Sequence, residues 1–193
     1  MKISLIINTC SLDPLAPRVM YGQRTYKERA ELLRNEILPA ARRDDWDEVI
    51  VVGSFEPGPG YEYVRLDPIY RDRRDALWQR ELGARHATGD ILAFSHDDHM
   101  FAHMAPNAIA LHDPEWDILV PRRVDNAGNE LPNGRDHNYM GGHSLVMRRW
   151  LWARIPWTAV DTAWWDRSLT RVWREEGGRI VFTDALCHID LDT

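Results

Sequence analysis

Apolar and polar positions along this chain follow two periods, and the elements can be read from where one gives way to the other. Ile3–Asn8 is a short apolar run that ends in turn formers, the pattern of a buried strand. Tyr26–Ala41 places Ala30, Leu33, Ile37 and Leu38 on one helical stripe, with Pro39 marking the expected end. Glu48–Val52 predicts a second buried strand, and the Gly- and Pro-rich stretch 53–60 a loop. Tyr63–Leu66 reads as a third, shorter strand. Arg74–Ala87 has helical spacing through Ala76, Leu77, Arg80, Leu82, Ala84 and Ala87, and Gly89 stops it. Asp90–Ser95 is a buried strand that runs straight into His96-Asp97-Asp98-His99. Beyond it come a short helix at Ala105–Leu111 and a strand at Ile118–Val120 closed by Pro121. A polar loop or ragged hairpin follows over 123–138. The chain then predicts a strand at Ser144–Met147, a helix at Thr162–Glu176, a strand at Arg179–Phe182, and the close Cys187-His188-Ile189-Asp190.

Strands alternating with helices indicate an α/β architecture with a mainly parallel sheet. Ligands in such sheets bind beyond the carboxyl ends of the strands. The loops after Asn8, Val52 and Ser95 are therefore expected to meet at one site. A chain of 193 residues fits one domain. It contains no run of eighteen apolar residues, so no membrane-spanning helix is expected. The opening MKISLIINTC is too short for a signal peptide and lacks its cleavage site. Two cysteines, Cys10 and Cys187, make no disulfide framework and suit a reducing, cytoplasmic setting.

A formal charge of −6 argues against a protein that coats nucleic acid, although Arg71, Arg73, Arg74, Arg80 and Arg85 crowd one segment. Of nine tryptophans, Trp150, Trp152, Trp157, Trp164, Trp165 and Trp173 lie close together in sequence. They read as core and lid, with one or two available as an apolar wall for a sugar.

The chemistry concentrates at the end of the central strand. Adjacent Asp97 and Asp98 offer the hard oxygen donors that magnesium and manganese favour. A rival set is His96, His99 and His103 around zinc, with His99 and His103 sharing a helical face. This H-x-x-x-H lacks the glutamate of H-E-x-x-H, and the neighbouring acids favour a harder ion.

The stretch Arg80–Asp98 resembles the central signature of family 2 glycosyltransferases, in which R-N-x-G, A-x-G-[DE] and an apolar strand lead to D-x-D. Arg80, Gly83, Ala87, Gly89, Asp90 and Phe94 stand at matching spacing. His96 replaces the first aspartate of D-x-D, Asp97 fills the middle and Asp98 stands at the second. A later match begins at Trp165-Asp166, which opens a helix ending at Gly177-Gly178, before a strand and His188. It resembles the family's E-D motif, with Trp165 in place of the glutamate.

The resemblance implies a GT-A, Rossmann-like single domain over 1–193, with a nucleotide-binding half at 1–100 and an acceptor-side half at 101–193. It implies an inverting, metal-dependent transfer of a sugar from a nucleotide-sugar donor to an acceptor hydroxyl. Asp98 would bind Mn²⁺ or Mg²⁺, with His188 completing the site and Asp97 on the ribose or the metal. Asp166 would be the general base, with Asp161 as the alternative. Thr9, Cys10, Ser54 and Arg80 would line the nucleotide pocket, and Gly141 and Gly142 the donor-sugar loop. Val52-Gly53-Ser54 stands where the family has Asp-Asp-Gly-Ser, so the base stays unassigned. Each role has a structural alternative: Asp166 favours a helix start whatever its chemistry, and a lone histidine often only packs. The rival functions are a nucleotidyltransferase and a sugar-nucleotide-binding protein without turnover.

Overall fold

A computed structural model describes residues 1–9, 24–53, 56–66, 75–112, 114–132, 140, 145–155 and 165–191. The strands are β1 (Ile3–Asn8), β2 (Glu48–Gly53), β3 (Glu62–Arg65), β4 (Ile91–His96), β5 (His99–Phe101), β6 (Ile118–Val124), β7 (Glu130–Leu131), β8 (Leu145–Arg148) and β9 (Ile180–Asp190). They form one sheet in the order β3-β2-β1-β4-β8-β6-β9-β5, with β7 paired to β6. Strands β1 to β4, β6 and β9 run one way, while β5, β7 and β8 run the other. The sheet is thus mostly parallel, as the alternating pattern requires.

Helices cover both faces. On one side α1 (Tyr26–Leu32) and α2 (Leu38–Arg43) bring Leu32, Leu33, Ile37 and Leu38 onto Leu5, Ile7 and Val51. Also on this side is α4 (Ala105–Leu111), through Ala105 and Ile109. On the other side α3 (Asp75–His86), α5 (Arg149–Trp152) and α6 (Trp165–Glu175) bring Ala84, Leu151, Trp152, Leu169 and Trp173 onto Ile6, Leu92 and Phe94. Burial on both faces explains the mainly apolar sequences of β1 and β4.

Three boundaries differ from the sequence reading, each for a physical reason. Pro39 does not end the first helix. A π-helical turn at Leu33–Ile37, closed by Leu38 N–H donating to the Leu33 carbonyl, precedes it, and the helix goes on to Arg43. The widened turn accommodates a residue that has no N–H to give. Likewise Pro121 does not close β6. The strand continues to Val124, with an irregular register against β9 between Pro121 and Arg122, where the partner residue steps from Thr183 to Cys187. Strand β9 runs to Asp190, and so carries the whole Cys187–Asp190 segment as sheet. The expected hairpin after Arg123 forms between β6 and β7.

Part of the signature serves the fold. A Cβ on Gly83 would come within 2.4 Å of Ile6 Cγ2, so glycine lets α3 lie directly on β1. A Cβ on Gly89 would meet Ser4 Oγ at 2.5 Å and the Lys2 carbonyl at 2.9 Å. Asp90 accepts from the Lys2 backbone N–H at 3.0 Å. These residues fix where α3 ends and β4 begins.

Candidate active site

The parallel strands β1, β2 and β4 end side by side, at Asn8, Gly53 and His96. Beyond those ends Thr9 N–H donates to the Val52 carbonyl at 2.8 Å, and Asp97 N–H donates to the Asn8 carbonyl at 3.0 Å. The chain after β4 therefore turns across the rim of the sheet and returns as β5. Strand β5 pairs antiparallel with β9, His99 opposite Asp190 and Phe101 opposite His188. Leu191 N–H donates to the Asp98 carbonyl at 2.8 Å. This register brings the last strand's Asp190 to the acids that follow β4.

The result is a buried polar cluster. The His99 ring lies between two carboxylates, with Nδ1 2.5 Å from Asp98 Oδ1 and Nε2 3.3 Å from Asp190 Oδ2. Arg29, on α1, places Nη2 3.0 Å from Asp97 Oδ1 and Nη1 against Asp98 Oδ2. Arg123, at the end of β6, pairs with Asp190 Oδ2. Asp97 is only 1% exposed and Arg29 6%. Burial pushes the Asp98 carboxyl up, but the His99 hydrogen bond and the charges of His99 and Arg29 outweigh it and hold the group far below the usual carboxylate range. Burial pushes His99 down, but hydrogen bonds to Asp190 and Asp98 raise it overall. Three carboxylates thus face two guanidiniums and the His99 ring.

His188 lies beneath this layer, fully buried. Its ring stacks on His99 with centroids 5.0 Å apart and meets Phe101 edge-on at 4.8 Å. The Ser95 hydroxyl donates to the His99 carbonyl at 3.0 Å, so it accepts from His188 Nε2–H, also at 3.0 Å. That nitrogen is committed to Ser95. Among the described residues, the side chains with ligand atoms close enough to share an ion are Asp98, His99 and Asp190, all within 4.8 Å of one another. Two carboxylates and an imidazole are a donor set that manganese or magnesium accepts. His188 is not in that group; it supports His99 from below.

A second polar region lies on the α3 side of the rim. Arg80 is fully buried, with Nη2 donating to His96 Nε2 at 3.0 Å and its guanidinium 5.9 Å from the Phe94 ring. Burial pushes the guanidinium down to about 9, while the charge of Asp166 works the other way, so Arg80 stays a cation at neutral pH. Asp166 sits in the first turn of α6, where Oδ1 accepts from Arg167 N–H at 2.8 Å. Arg80 thus lies between the Asp97–Asp98 turn and the start of α6. Nearby on β1, Asn8 is 1% exposed, and neither polar atom of its side-chain amide has a hydrogen-bond partner among the described residues. A buried amide in that state costs free energy unless a ligand or water completes it.

The structure brings Asp97, Asp98, Arg80 and Thr9 to the rim. Cys10, Ser54, Gly141, Gly142 and Asp161 lie outside the described residues, as do Trp157, Trp164 and the segment Arg71–Arg74. The zinc arrangement is not formed. His99 is in a strand rather than a helix, and His103 is an exposed residue bonded to Asp44 at 2.6 Å. Trp152 and Trp173 are core residues, and Trp150 packs over Trp173 half-exposed. The sequence reading missed Arg29, Asp190, His99 as a partner of the acids, and Asn8. Arg29 left a trace, because it lies within the buried stripe that Leu33 and Ile37 continue, where a cation is out of place.

No family model matches the sequence, and no curated protein matches it. Solved structures do share its architecture. The mannosyltransferase PcManGT of Pyrobaculum calidifontis, in complex with GDP-Man and Mn²⁺, matches 98% of this chain at a TM-score of 0.63 and 17% identity. TarS of S. aureus in complex with UDP-GlcNAc matches 98% at 0.60 and 14%. The inositol-1-phosphate CTP transferase of T. maritima matches the whole chain at 0.61 and 10%. The chain has the GT-A fold of nucleotide-sugar glycosyltransferases. It spans 56% and 59% of the two glycosyltransferase chains and 90% of the CTP transferase. No helix among the described residues is long and apolar enough to cross a membrane.

Proposed function

We propose that the protein is a metal-dependent glycosyltransferase that moves a sugar from a nucleotide-sugar donor to an acceptor hydroxyl with inversion. The observation that carries this reading is the convergence of Asp97, Asp98 and Asp190 at the carboxyl rim of a GT-A sheet. Asp98 and Asp190, with His99, would hold Mn²⁺ or Mg²⁺, and His188 keeps His99 in place by stacking under it. A bound divalent ion offsets the charge that grows on a diphosphate as the sugar departs. Thr9, Cys10, Ser54, Asp97 and the buried amide of Asn8 would face the nucleoside. Arg80 supplies a buried positive charge for the base or the diphosphate, and Gly141 and Gly142 let the backbone approach the donor sugar. Asp166 takes the proton of the acceptor hydroxyl, a task a carboxylate performs when it hydrogen-bonds the attacking oxygen. The proposed division of labour is a nucleotide-binding half over 1–100 and an acceptor side over 101–193.

The test is thermal-shift screening of UDP-, GDP-, TDP- and CDP-sugars with and without Mn²⁺, followed by transfer and hydrolysis assays on any hit. Stabilisation by one nucleotide class that depends on Mn²⁺ is expected. No response to any sugar nucleotide would refute the reading. A second reading, nucleotidyl transfer, rests on the near-complete match in length with the CTP transferase. It requires pyrophosphate release from a nucleoside triphosphate and a sugar phosphate, which a glycosyltransferase does not give.

A further inference from the structure

Arg29 occupies the position in the acidic cluster that a cation would take. It follows the capping box of Thr25 and Glu28, in which each side chain bonds the other's backbone N–H, so the start of α1 is fixed and with it the place of Arg29. Its guanidinium forks across two separate carboxylates, one nitrogen to Asp97 at 3.0 Å and the other against Asp98. The remaining oxygen of Asp98 faces His99. Both oxygens of Asp98 therefore already face a positive or proton-donating group, in a place sheltered from water, where like charges repel strongly.

From this we infer that Arg29 is a built-in competitor for the divalent ion. It neutralises Asp97 and Asp98 while no ion is bound and must withdraw from Asp98 before one enters. The inference rests on the metal-dependent reading above. It also has a consequence that reading does not: the affinity for a free ion is set by Arg29 as well as by the ligands. Removing an ordinary structural residue beside a metal site loosens the ligands and weakens binding. Removing a competitor strengthens it.

The experiment is a Mn²⁺ titration of the full chain followed by electron paramagnetic resonance, which reads the free aquo ion and needs no activity. Wild type, Arg29→Gln, Arg29→Lys and the double variant Arg29→Gln/Asp98→Asn are compared. Arg29→Gln is expected to bind Mn²⁺ about tenfold tighter than wild type or better. Arg29→Lys, whose single ammonium cannot fork across both acids, should show a smaller gain. The double variant should lose the gain. Mn²⁺ should raise the melting temperature of Arg29→Gln more than that of wild type, because the ion replaces the missing charge. Equal or weaker binding by Arg29→Gln, with wild type still binding, overturns the competitor and leaves the metal site standing. If neither wild type nor Arg29→Gln takes up Mn²⁺, the metal-dependent reading fails and the competitor fails with it. Should Arg29→Gln not fold, Arg29→Lys decides the matter by the same sign of change.

Discussion

The two ends of the parallel strands are both polar, yet they are built differently. At the amino ends, Glu48 accepts from Ser4 Oγ at 2.5 Å, from Thr88 N–H at 2.8 Å and from Thr88 Oγ1 at 2.9 Å, while Gly89 N–H donates to Ser4 Oγ. Asp47 accepts from Ile3 N–H at 2.7 Å and Asp90 from Lys2 N–H at 3.0 Å. Those carboxylates are satisfied largely by backbone N–H groups and hydroxyls, which cannot leave without breaking the fold. At the carboxyl ends the carboxylates are satisfied by side chains: the guanidiniums of Arg29 and Arg123 and the ring of His99. A cation on a side chain can be exchanged for another cation. The first arrangement fastens strands; the second can trade partners with a ligand, and that is why the proposed function is placed there.

This contrast can be broken at four points. The largest effect is expected at Asp98: Asp98→Asn should lower transfer roughly a thousandfold, the scale of losing a charge-stabilising group, with the circular dichroism of the fold unchanged. Asp166→Asn should cost about a hundredfold or more in kcat while leaving Mn²⁺-dependent donor binding intact, measured by calorimetry. Between the two ends, Gly83→Ala should destabilise by about 1–3 kcal/mol in chemical denaturation, because its methyl group has no room against Ile6.

The smallest effect is expected at the amino ends. Glu48→Gln should cost about 1 kcal/mol at neutral pH and leave nucleotide binding as it was. Burial raises the Glu48 carboxyl, but the Ser4 and Thr88 hydrogen bonds lower it more. A carboxylate lowered by folding stabilises above its unfolded value of about 4.3, and that stability is lost as the pH falls through the lower folded value. The gap between wild type and Glu48→Gln should therefore close on acidification, as read from denaturation midpoints at a series of pH values.

Legibility in the sequence divides along the same line. Gly83, Gly89 and Asp90 belong to the motif itself, so they could be found by spacing, and with them the order of α3 and β4. The turn bearing Asp97 and Asp98 was visible for the same reason. Asp190 and His99 could not be paired in advance, because they meet through the β5–β9 register, and a three-residue strand such as His99–Phe101 carries too little pattern to announce itself. The stacking of His188 under His99 follows from that same register. Arg29 needed a different question, namely why a cation should lie on the apolar stripe of a helix.

The most direct test of the account is a crystal soaked with Mn²⁺ and a nucleoside diphosphate, measured for anomalous scattering. The account predicts a manganese peak in contact with the carboxylates of both Asp98 and Asp190, the diphosphate alongside it. A peak that touches neither aspartate, with the diphosphate bound elsewhere, would contradict it.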